Sequence, residues 1–585
     1  MAVGRAPLAI VDFSEPDGTP LREVFRDPIE VIVAQALNEV IPAIDRAEQL
    51  AKAGKFAVGF VAYDAAPAFE PRFAIRPGYR GPLVWFGIFN APSPEPGAIE
   101  PAPSDGAKWV ASVDAAEHAR AVDEIIEGIR RGDFYQVSYT ARFGGQIAGD
   151  SVPTYERLRR AQGGRYSAFI DTGALAVLSV SPELFFSRVG DQIESRPMKG
   201  TAARGRWPAE DDRAADRLRM SEKERAENVM IVDLIRNDLG RVAVSGTVEV
   251  SSLFDVERYP TVLQMTSHVK AQVKPGTALT GLFRALFPCG SVTGAPKIAA
   301  SKSIADLEGE SRGVYCGAVG VVRPGGDSVF NVAIRTMTVE ANGSALYGAG
   351  GGITVDSNPA DEYRELVAKT VVLDAPPEDF DLFETMRLEG GVIARFDRHL
   401  DRLAESARYF GFRARECAID RLRERLDEQA SAHREGCFRV RATLSRLGEG
   451  TIEIRDFQPS DNARRVRLSR LPVNSSDRLL YHKTTRRDAY DSRLAAAAGV
   501  DDVLLFNERG ELTETTIGNV ILEVGGELLT PPLDSGLLPG ILRQELLDRG
   551  EITETVIPIR WLYRTKGLWM INSLRGWVPL DRRGW

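Results

Sequence analysis

The stretch at 374–381, "DAPPEDFD", does most to constrain what this chain can fold into. Its two consecutive prolines fix φ and lack a backbone N–H, so neither a helix nor a central strand can run through them. A helical pattern ends before the break, and a fresh pattern, "LFETMRLEGGVIARF", starts after it. With 585 residues the chain is far longer than one hydrophobic core needs. The break therefore predicts two domains, residues 1–374 and residues 381–585, joined by a linker at 375–380. A second proline-rich stretch, "APSPEPGAIEPAPSDGAK" at 91–108, carries little apolar content and predicts an exposed loop inside the first domain.

Composition narrows the class. A chain that is 43% hydrophobic and 27% charged has the profile of a soluble globular protein. The net charge of −8 argues against a nucleic-acid partner. No apolar run is long enough to predict a membrane span, and "MAVGRAPLAIVDF" reads as a strand rather than a signal peptide. Four cysteines, Cys289, Cys316, Cys417 and Cys437, without a C-x-x-C pair, suggest reduced thiols and a cytoplasmic location.

Hydrophobic periodicity mixes helices and strands. "HARAVDEIIEGIRRGDFYQVSYTARF" predicts an amphipathic helix, a Gly-Asp stop and a strand. "SEKERAENVMIVDLIRNDLGRV" predicts a long helix ending near Gly240, and "RHLDRLAESARYFGF" a helix in the second domain. "DVLLFNERGELTE" and "NVILEVGGELLTP" predict hairpins turning on glycine.

Chemistry concentrates in a few segments. Lys199 lies in "ESRPMKGTAARG", a stretch rich in small residues and turn formers. An unperturbed lysine pays about 4.6 kcal/mol to be neutral at pH 7, so a nucleophilic lysine needs burial or nearby positive charge. The alternative is a solvated loop lysine. Glu183, in "SVSPELFF", lies among apolar and aromatic residues, which would raise its pKa and let it donate a proton. Glu224 and Glu227 are three apart on the long helix and share a face. Such a pair is either solvated or, on a buried side, suited to Mg²⁺. "YGAGGGITVDSNPADEYRELVAK" predicts a glycine-rich turn and then a helix capped by Asn358, on which Glu362 and Glu365 are again three apart. Gly350, Gly351 and Gly352 would let backbone N–H groups approach an anion. Together these parts suit a small polycarboxylate bound through Mg²⁺.

The region from about 110 to 372 resembles the chorismate-utilising family that includes anthranilate synthase component I, isochorismate synthase and aminodeoxychorismate synthase component I. The motifs that carry it are "SPELFF", "RPMKGTAARG", "KERAENVMIVDLIRNDLGRV", "FPCGSVTGAPK", "YCGAVG", "FNVAIRT" and "GAGGGITVDSNPADEYRE". The resemblance implies an α+β fold, a β-sandwich with flanking helices. It also implies chorismate as substrate and Mg²⁺ held by Glu227 and Glu362. Tyr315, Arg335 and the backbone near Gly352 would hold the pyruvyl carboxylate, and His268 and Ser291 match other active-site positions. The position of Lys199 is alanine-like in anthranilate synthases and lysine in aminodeoxychorismate synthases. The implied reaction has Lys199 attack C2 of the ring while Glu183 protonates the departing C4 hydroxyl; ammonia then adds at C4 and Lys199 leaves. None of the four cysteines lies in a G-x-C-x-G elbow, so ammonia would come from a separate glutamine amidotransferase subunit, or from solution.

In the second domain, Lys483 stands in "LLYHKTTRRDAY", Glu514 ends a predicted strand, and Pro539-Gly540 opens a helix in "GLLPGILRQELLDRG". A helix N-terminus is a ready phosphate site, to which Arg402 would add a guanidinium. A lysine, a carboxylate and a phosphate cradle are what pyridoxal 5'-phosphate requires. Residues 380–575 resemble the class IV pyridoxal-phosphate family, which includes aminodeoxychorismate lyase, branched-chain aminotransferases and D-amino acid aminotransferases. This implies a two-part α+β domain with Lys483 as the Schiff-base lysine and Glu514 at the ring nitrogen. Arg402 and the backbone of Ile541 and Leu542 would hold the phosphate, although Leu542 stands where a threonine is common. By analogy the domain implies a homodimer. The two halves together imply a bifunctional enzyme making 4-aminobenzoate from chorismate. The alternatives are an anthranilate-forming first half, a transaminating second half, or a cofactor-free dimerisation module.

Overall fold

A computed structural model describes residues 8–14, 20–94, 99–103, 108–374, 379–412, 416–460 and 462–582. Residues 95–98 and 104–107 of the predicted proline-rich loop, 375–378 of the predicted linker and 1–7 of the N-terminal reading lie outside the described residues. The chain forms two compact units. The first comprises residues 1–203 and 215–378; the second comprises 204–214 and 379–585.

The first unit is a sandwich of two large sheets. One runs in the order Gly294–Ala295, Gln136–Gln146, Ser344–Ile353, Thr336–Glu340, Leu175–Ser181, Tyr166–Asp171, Leu8–Ser14 and Pro20–Arg26. The other runs Met198–Ala203, Val262–Gln272, Gln192–Arg196, Leu184–Val189, Ser328–Val332, Ala318–Val322, Phe56–Val61, Val84–Phe89 and Glu30–Ala34. Apolar side chains of both, including Val11, Phe13, Phe60 and Trp85, fill the layer between them. Helices cover the outer faces. Leu37–Lys52, Glu222–Gly240 and Leu279–Leu286 bury Val40, Ile235 and Phe283 against one sheet. Ser151–Gln162 buries Tyr155 and Leu158 against the other. The predicted stop at Gly132 is a left-handed C-cap (φ 84°) ending the helix Ala115–Arg131.

Two segments differ from the sequence reading. Lys199 is not in a loop: it belongs to the strand Met198–Ala203, where the register shifts between Met198 and Thr201 and Gly200 takes φ 94°. The glycine run at 350–352 is not a turn: it is the end of the strand Ser344–Ile353, paired residue for residue with Val137–Gln146. Glycine is required there by crowding. A Cβ on Gly350 would stand 2.3 Å from the Tyr139 carbonyl oxygen, and one on Gly348 would stand 2.4 Å from the Tyr315 ring.

In the second unit, the antiparallel sheet Val392–Ile393, Leu382–Glu389, Cys437–Leu444 and Gly450–Asp456 packs on the helices Phe396–Tyr409 and Glu416–Ala432 through Leu400, Leu403, Leu422 and Leu426. The larger sheet contains both predicted hairpins, Asp502–Phe506 with Leu512–Thr515 and Asn519–Val524 with Glu527–Thr530. A further pairing, Glu514 with Asn519, curls it towards a barrel. Residues 204–214 dock in this unit. Trp207 packs on Tyr481 with ring centroids 5.0 Å apart, Tyr409 donates to the Gly205 carbonyl, and Arg206 pairs with Glu210 and Asp534. No helix among the described residues is long and apolar enough to cross a membrane. All four cysteines are free thiols.

Candidate active sites

Along Gln136–Gln146 the alternation of polar and apolar residues would ordinarily put one face in water. Here both faces are covered, and Gln136, Ser138, Thr140 and Arg142 are all buried. Thr140 and Arg142 are matched by Glu308 and Arg312: the Thr140 hydroxyl donates to Glu308 at 2.7 Å, and Arg312 bonds the same carboxylate at 2.6 Å. Gln136 has no such match. Neither its amide nitrogen nor its amide oxygen has a hydrogen-bond partner, and its side chain reaches the same point as the Lys199 amine. A Cβ on Gly352 would lie 2.3 Å from Gln136 Nε2 and 2.3 Å from Lys199 Nζ.

That point lies in a cavity of about 200 Å³ in the first unit. Glu183, Lys199, Glu227 and Ser291 line it, and so do Tyr315, Arg335, Gly352 and Glu362. His268 does not: its ring lies on the strand Val262–Gln272, 3.6 Å from Glu194 and 4.0 Å from Asp255. Glu183 sits where Pro182 interrupts the run between Leu175–Ser181 and Leu184–Val189, which turns its carboxyl inward. It is 3% exposed, accepts a 2.6 Å hydrogen bond from the Ser291 hydroxyl, and burial pushes its pKa up to about 7 against the lowering effects of Ser291 and Lys199. Asn228 fastens the helix Glu222–Gly240 to the lysine strand by donating to the Lys199 carbonyl at 3.3 Å and accepting from Ser267 at 2.6 Å. This sets Glu227, the residue just before Asn228, and Glu224, one turn earlier, at the cavity wall.

Four carboxylates from two helices meet here. Burial raises Glu224, and Glu227 and Glu365 add to the rise. Burial also raises Glu362, which accepts from Ser357 at 2.7 Å. Glu365 is held low chiefly by Lys369, which bonds it at 2.6 Å. Mutual repulsion among hard-oxygen donors, three of them half-buried and Glu365 exposed, suits a divalent cation. Among the described residues no group of three or more acidic, His or Cys ligands closes around one point. The donor set therefore fits Mg²⁺ held by two carboxylates, with the remaining ligands supplied by substrate and water. Replacing Gly352 by alanine is expected to push Gln136 and Lys199 aside and to lower kcat/KM of the reaction in this cavity by about tenfold or more, with little change in Tm. Steady-state kinetics beside a thermal melt checks this.

In the second unit, a cavity of about 270 Å³ is lined by Lys483, Glu514, Arg402, Ile541 and Leu542. Lys483 is half-buried, and desolvation, reinforced by Arg402, lowers its pKa to about 8. Glu514 is fully buried. It accepts from the Tyr490 hydroxyl at 2.8 Å, the Asn519 amide at 3.3 Å and the Leu538 N–H at 3.2 Å, and burial lifts its pKa to about 8. Gly540 begins the helix Ile541–Asp548 without a side-chain cap. A Cβ there would lie 1.8 Å from Asn519 Oδ1, so the turn approaches its surroundings by backbone alone. Arg402 binds the Glu384 carboxylate through two nitrogens, at 2.8 and 2.7 Å, and donates its third nitrogen to the Pro539 carbonyl at 2.9 Å. It thereby braces the loop that leads into that helix. A buried acid without a cationic partner, a poised amine and a bare helix N-terminus fit pyridoxal phosphate. Tyr490→Phe removes the shorter of the two hydrogen bonds that Glu514 Oε1 accepts and leaves it the Leu538 N–H. It is expected to destabilise the protein by about 1 kcal/mol, read as a drop in the denaturant midpoint, and to hasten cofactor loss on dialysis.

Sequence reasoning missed Gln136, Tyr490 and Asn519. The signal for Gln136 was the polar face of its strand, which alternation alone assigns to water. Tyr490 and Asn519 carry no local signal, because their role depends on the closure of the larger sheet.

Residues 13–373, well over half the chain, match the chorismate binding enzyme family, and the chain belongs to that family. Residues 381–582 match the class IV amino-transferases. Among curated relatives, the aminodeoxychorismate synthase component 1 of Salmonella typhimurium is 41% identical over 261 residues, 45% of this chain and 57% of that protein. The anthranilate synthase component 1 of Streptomyces coelicolor is 40% identical over 274 residues, 47% of this chain and 53% of that protein. The matched part thus spans little more than half the length of these relatives. The solved structure of anthranilate synthase component I from Streptococcus pneumoniae superposes with a TM-score of 0.51 at 25% identity, covering 64% of this chain and 93% of that one.

Proposed function

We propose that the protein makes 4-aminobenzoate from chorismate in two steps: amination at C4 in the first unit and release of pyruvate in the second. The observation that carries the first step is that an amine, Lys199, and a buried acid with a pKa near 7, Glu183, line one cavity with a wall of carboxylates. Lys199 would bond to C2 of the ring, and Glu183 would give its proton to the C4 hydroxyl as it leaves. Ammonia would then bond to C4 as the Lys199–C2 bond breaks, which restores the amine. Ser291 keeps the Glu183 carboxyl pointed into the cavity. Glu227 and Glu362 would hold Mg²⁺, which when bound polarises the ring carboxylate as a Lewis acid. A separate glutamine amidotransferase would supply ammonia.

For the second step, Lys483 would take the C4 proton, and the pyruvyl oxygen would leave C3 as the ring becomes aromatic. Pyridoxal phosphate, when bound, supplies the electron sink next to the amine-bearing carbon. Glu514, fixed by Tyr490 and Asn519, would face its ring nitrogen, and the N-terminus of Ile541–Asp548 would receive its phosphate.

The test supplies chorismate, an ammonium salt, Mg²⁺ and pyridoxal phosphate to the full chain and separates the products. The proposal expects 4-aminobenzoate and pyruvate in equal amounts. Anthranilate would overturn the first step, and amino transfer dependent on 2-oxoglutarate would overturn the second.

A further inference from the structure

The groups named so far leave the second cavity with more positive charge than a cofactor phosphate requires. Arg439 and Arg441 lie two apart on the strand Cys437–Leu444 and so project from one face of it, and both line the cavity. Arg441 stands opposite Thr385, another lining residue, in the register with Leu382–Glu389. Its guanidinium lies 4.1 Å from the centroid of the Phe383 ring, and the Lys483 amine lies 4.8 Å from the same centroid. Arg575, in the turn after the strand Gly567–Asn572, lines the cavity as well. Among the described residues no ion pair reaches Arg441 or Arg575, while Arg439 shares Glu453 with Arg455 at 3.8 Å. Arg439 acts on both of the others: burial followed by Arg439 disfavours the charged form of Arg441 against the opposing effect of Glu453, and burial, Arg464 and then Arg439 do the same to Arg575. Holding guanidiniums together on a half-buried wall costs stability unless an anion joins them.

We propose that Arg439, Arg441 and Arg575 form a clamp for two carboxylates on one substrate, so that the second cavity selects dicarboxylates over monocarboxylates. The inference rests on the lyase reading above and deepens it by naming the feature recognised. Two arginines about 7 Å apart along a strand can each take a separate carboxylate through parallel N–H bonds. Arg441 and the lysine that would handle the proton both pack on the Phe383 ring. A cyclic substrate with one carboxylate on its ring and another on an ether arm satisfies both. A simple amino acid with an apolar side chain leaves one guanidinium unmatched and desolvated, which is how a site rejects a ligand.

The test uses the full chain loaded with pyridoxal phosphate. It is titrated with benzene-1,3-dicarboxylate and with benzoate, neither of which carries an amine, while the absorption band of the bound cofactor is followed. The dicarboxylate is expected to bind at least about tenfold tighter than benzoate. Arg441→Gln and Arg439→Gln should each remove about tenfold or more of the dicarboxylate affinity and leave benzoate within about threefold, with Arg441→Lys recovering part of the loss. Equal affinity for the two probes in the wild-type protein overturns the clamp, and so do unchanged dicarboxylate affinities in both glutamine variants. Pyruvate release from 4-amino-4-deoxychorismate separates the two claims. If the dicarboxylate preference stands but no pyruvate appears, the clamp survives and the lyase reading falls. If pyruvate appears with a KM that Arg441→Gln does not move, the lyase reading survives and the clamp falls.

Discussion

The Lys483→Ala protein, given chorismate, Mg²⁺ and an ammonium salt, is expected to consume chorismate at close to the wild-type rate. It should release 4-aminobenzoate on the order of 1,000-fold more slowly, with the amino intermediate accumulating instead. The selectivity follows from the separation of the chemistry. Lys483 is enclosed by residues of the second unit, whereas the groups proposed for amination line a cavity in the first. The size follows from what is lost. An amine with its pKa lowered to about 8 by burial is neutral in a usable fraction near pH 8, and among the described residues no other lysine lines that cavity. In the wild-type protein the pyruvate-releasing step should therefore quicken as pH rises towards 8. Chromatography of a time course, with a coupled pyruvate assay, measures both quantities. Normal 4-aminobenzoate output from the variant would remove Lys483 from the mechanism.

Glu183→Gln is expected to slow amination by about 100- to 10,000-fold while the second step, supplied with the amino intermediate, runs normally. Glutamine keeps the volume and can still bond Ser291, so the loss should fall on kcat more than on KM. The pH dependence gives a second signature. A general acid works in its protonated form, and the Glu183 pKa lies near 7, so wild-type amination should decline as pH rises through that value. The glutamine variant has no proton to lose and should lack that limb. A wild-type rate that is flat from pH 6 to 8.5 would assign the proton donation to another group.

Much of this was legible in the residues, and the reasons differ by element. The helix Glu222–Gly240 and the carboxylates on its face follow from spacing, because a three-residue step on a helix puts side chains together wherever the helix lies. The helix Ile541–Asp548 announces itself through Pro539-Gly540. The strand identity of Lys199 and of the glycine run was hidden. Small residues signal turns to local reasoning, and here they answer to tertiary crowding by Tyr139, Tyr315 and Glu224. Arg439 and Arg441 were equally silent: alternating arginines on a strand read as a wet face until the rest of the unit covers it.

Residues 204–214 follow Lys199 by only a few positions, yet they belong to the unit that contains Lys483. The polypeptide passes from one unit to the other at 203–204, returns at 214–215 and crosses again at 378–379. Severing the gene at the proline-rich junction would therefore not release two independent proteins. The downstream fragment would lack the Trp207 plug and expose the Tyr481 ring beneath it, while the upstream fragment would carry eleven residues stripped of their socket. Evolution by later fission is closed to such a chain unless that excursion is first rebuilt.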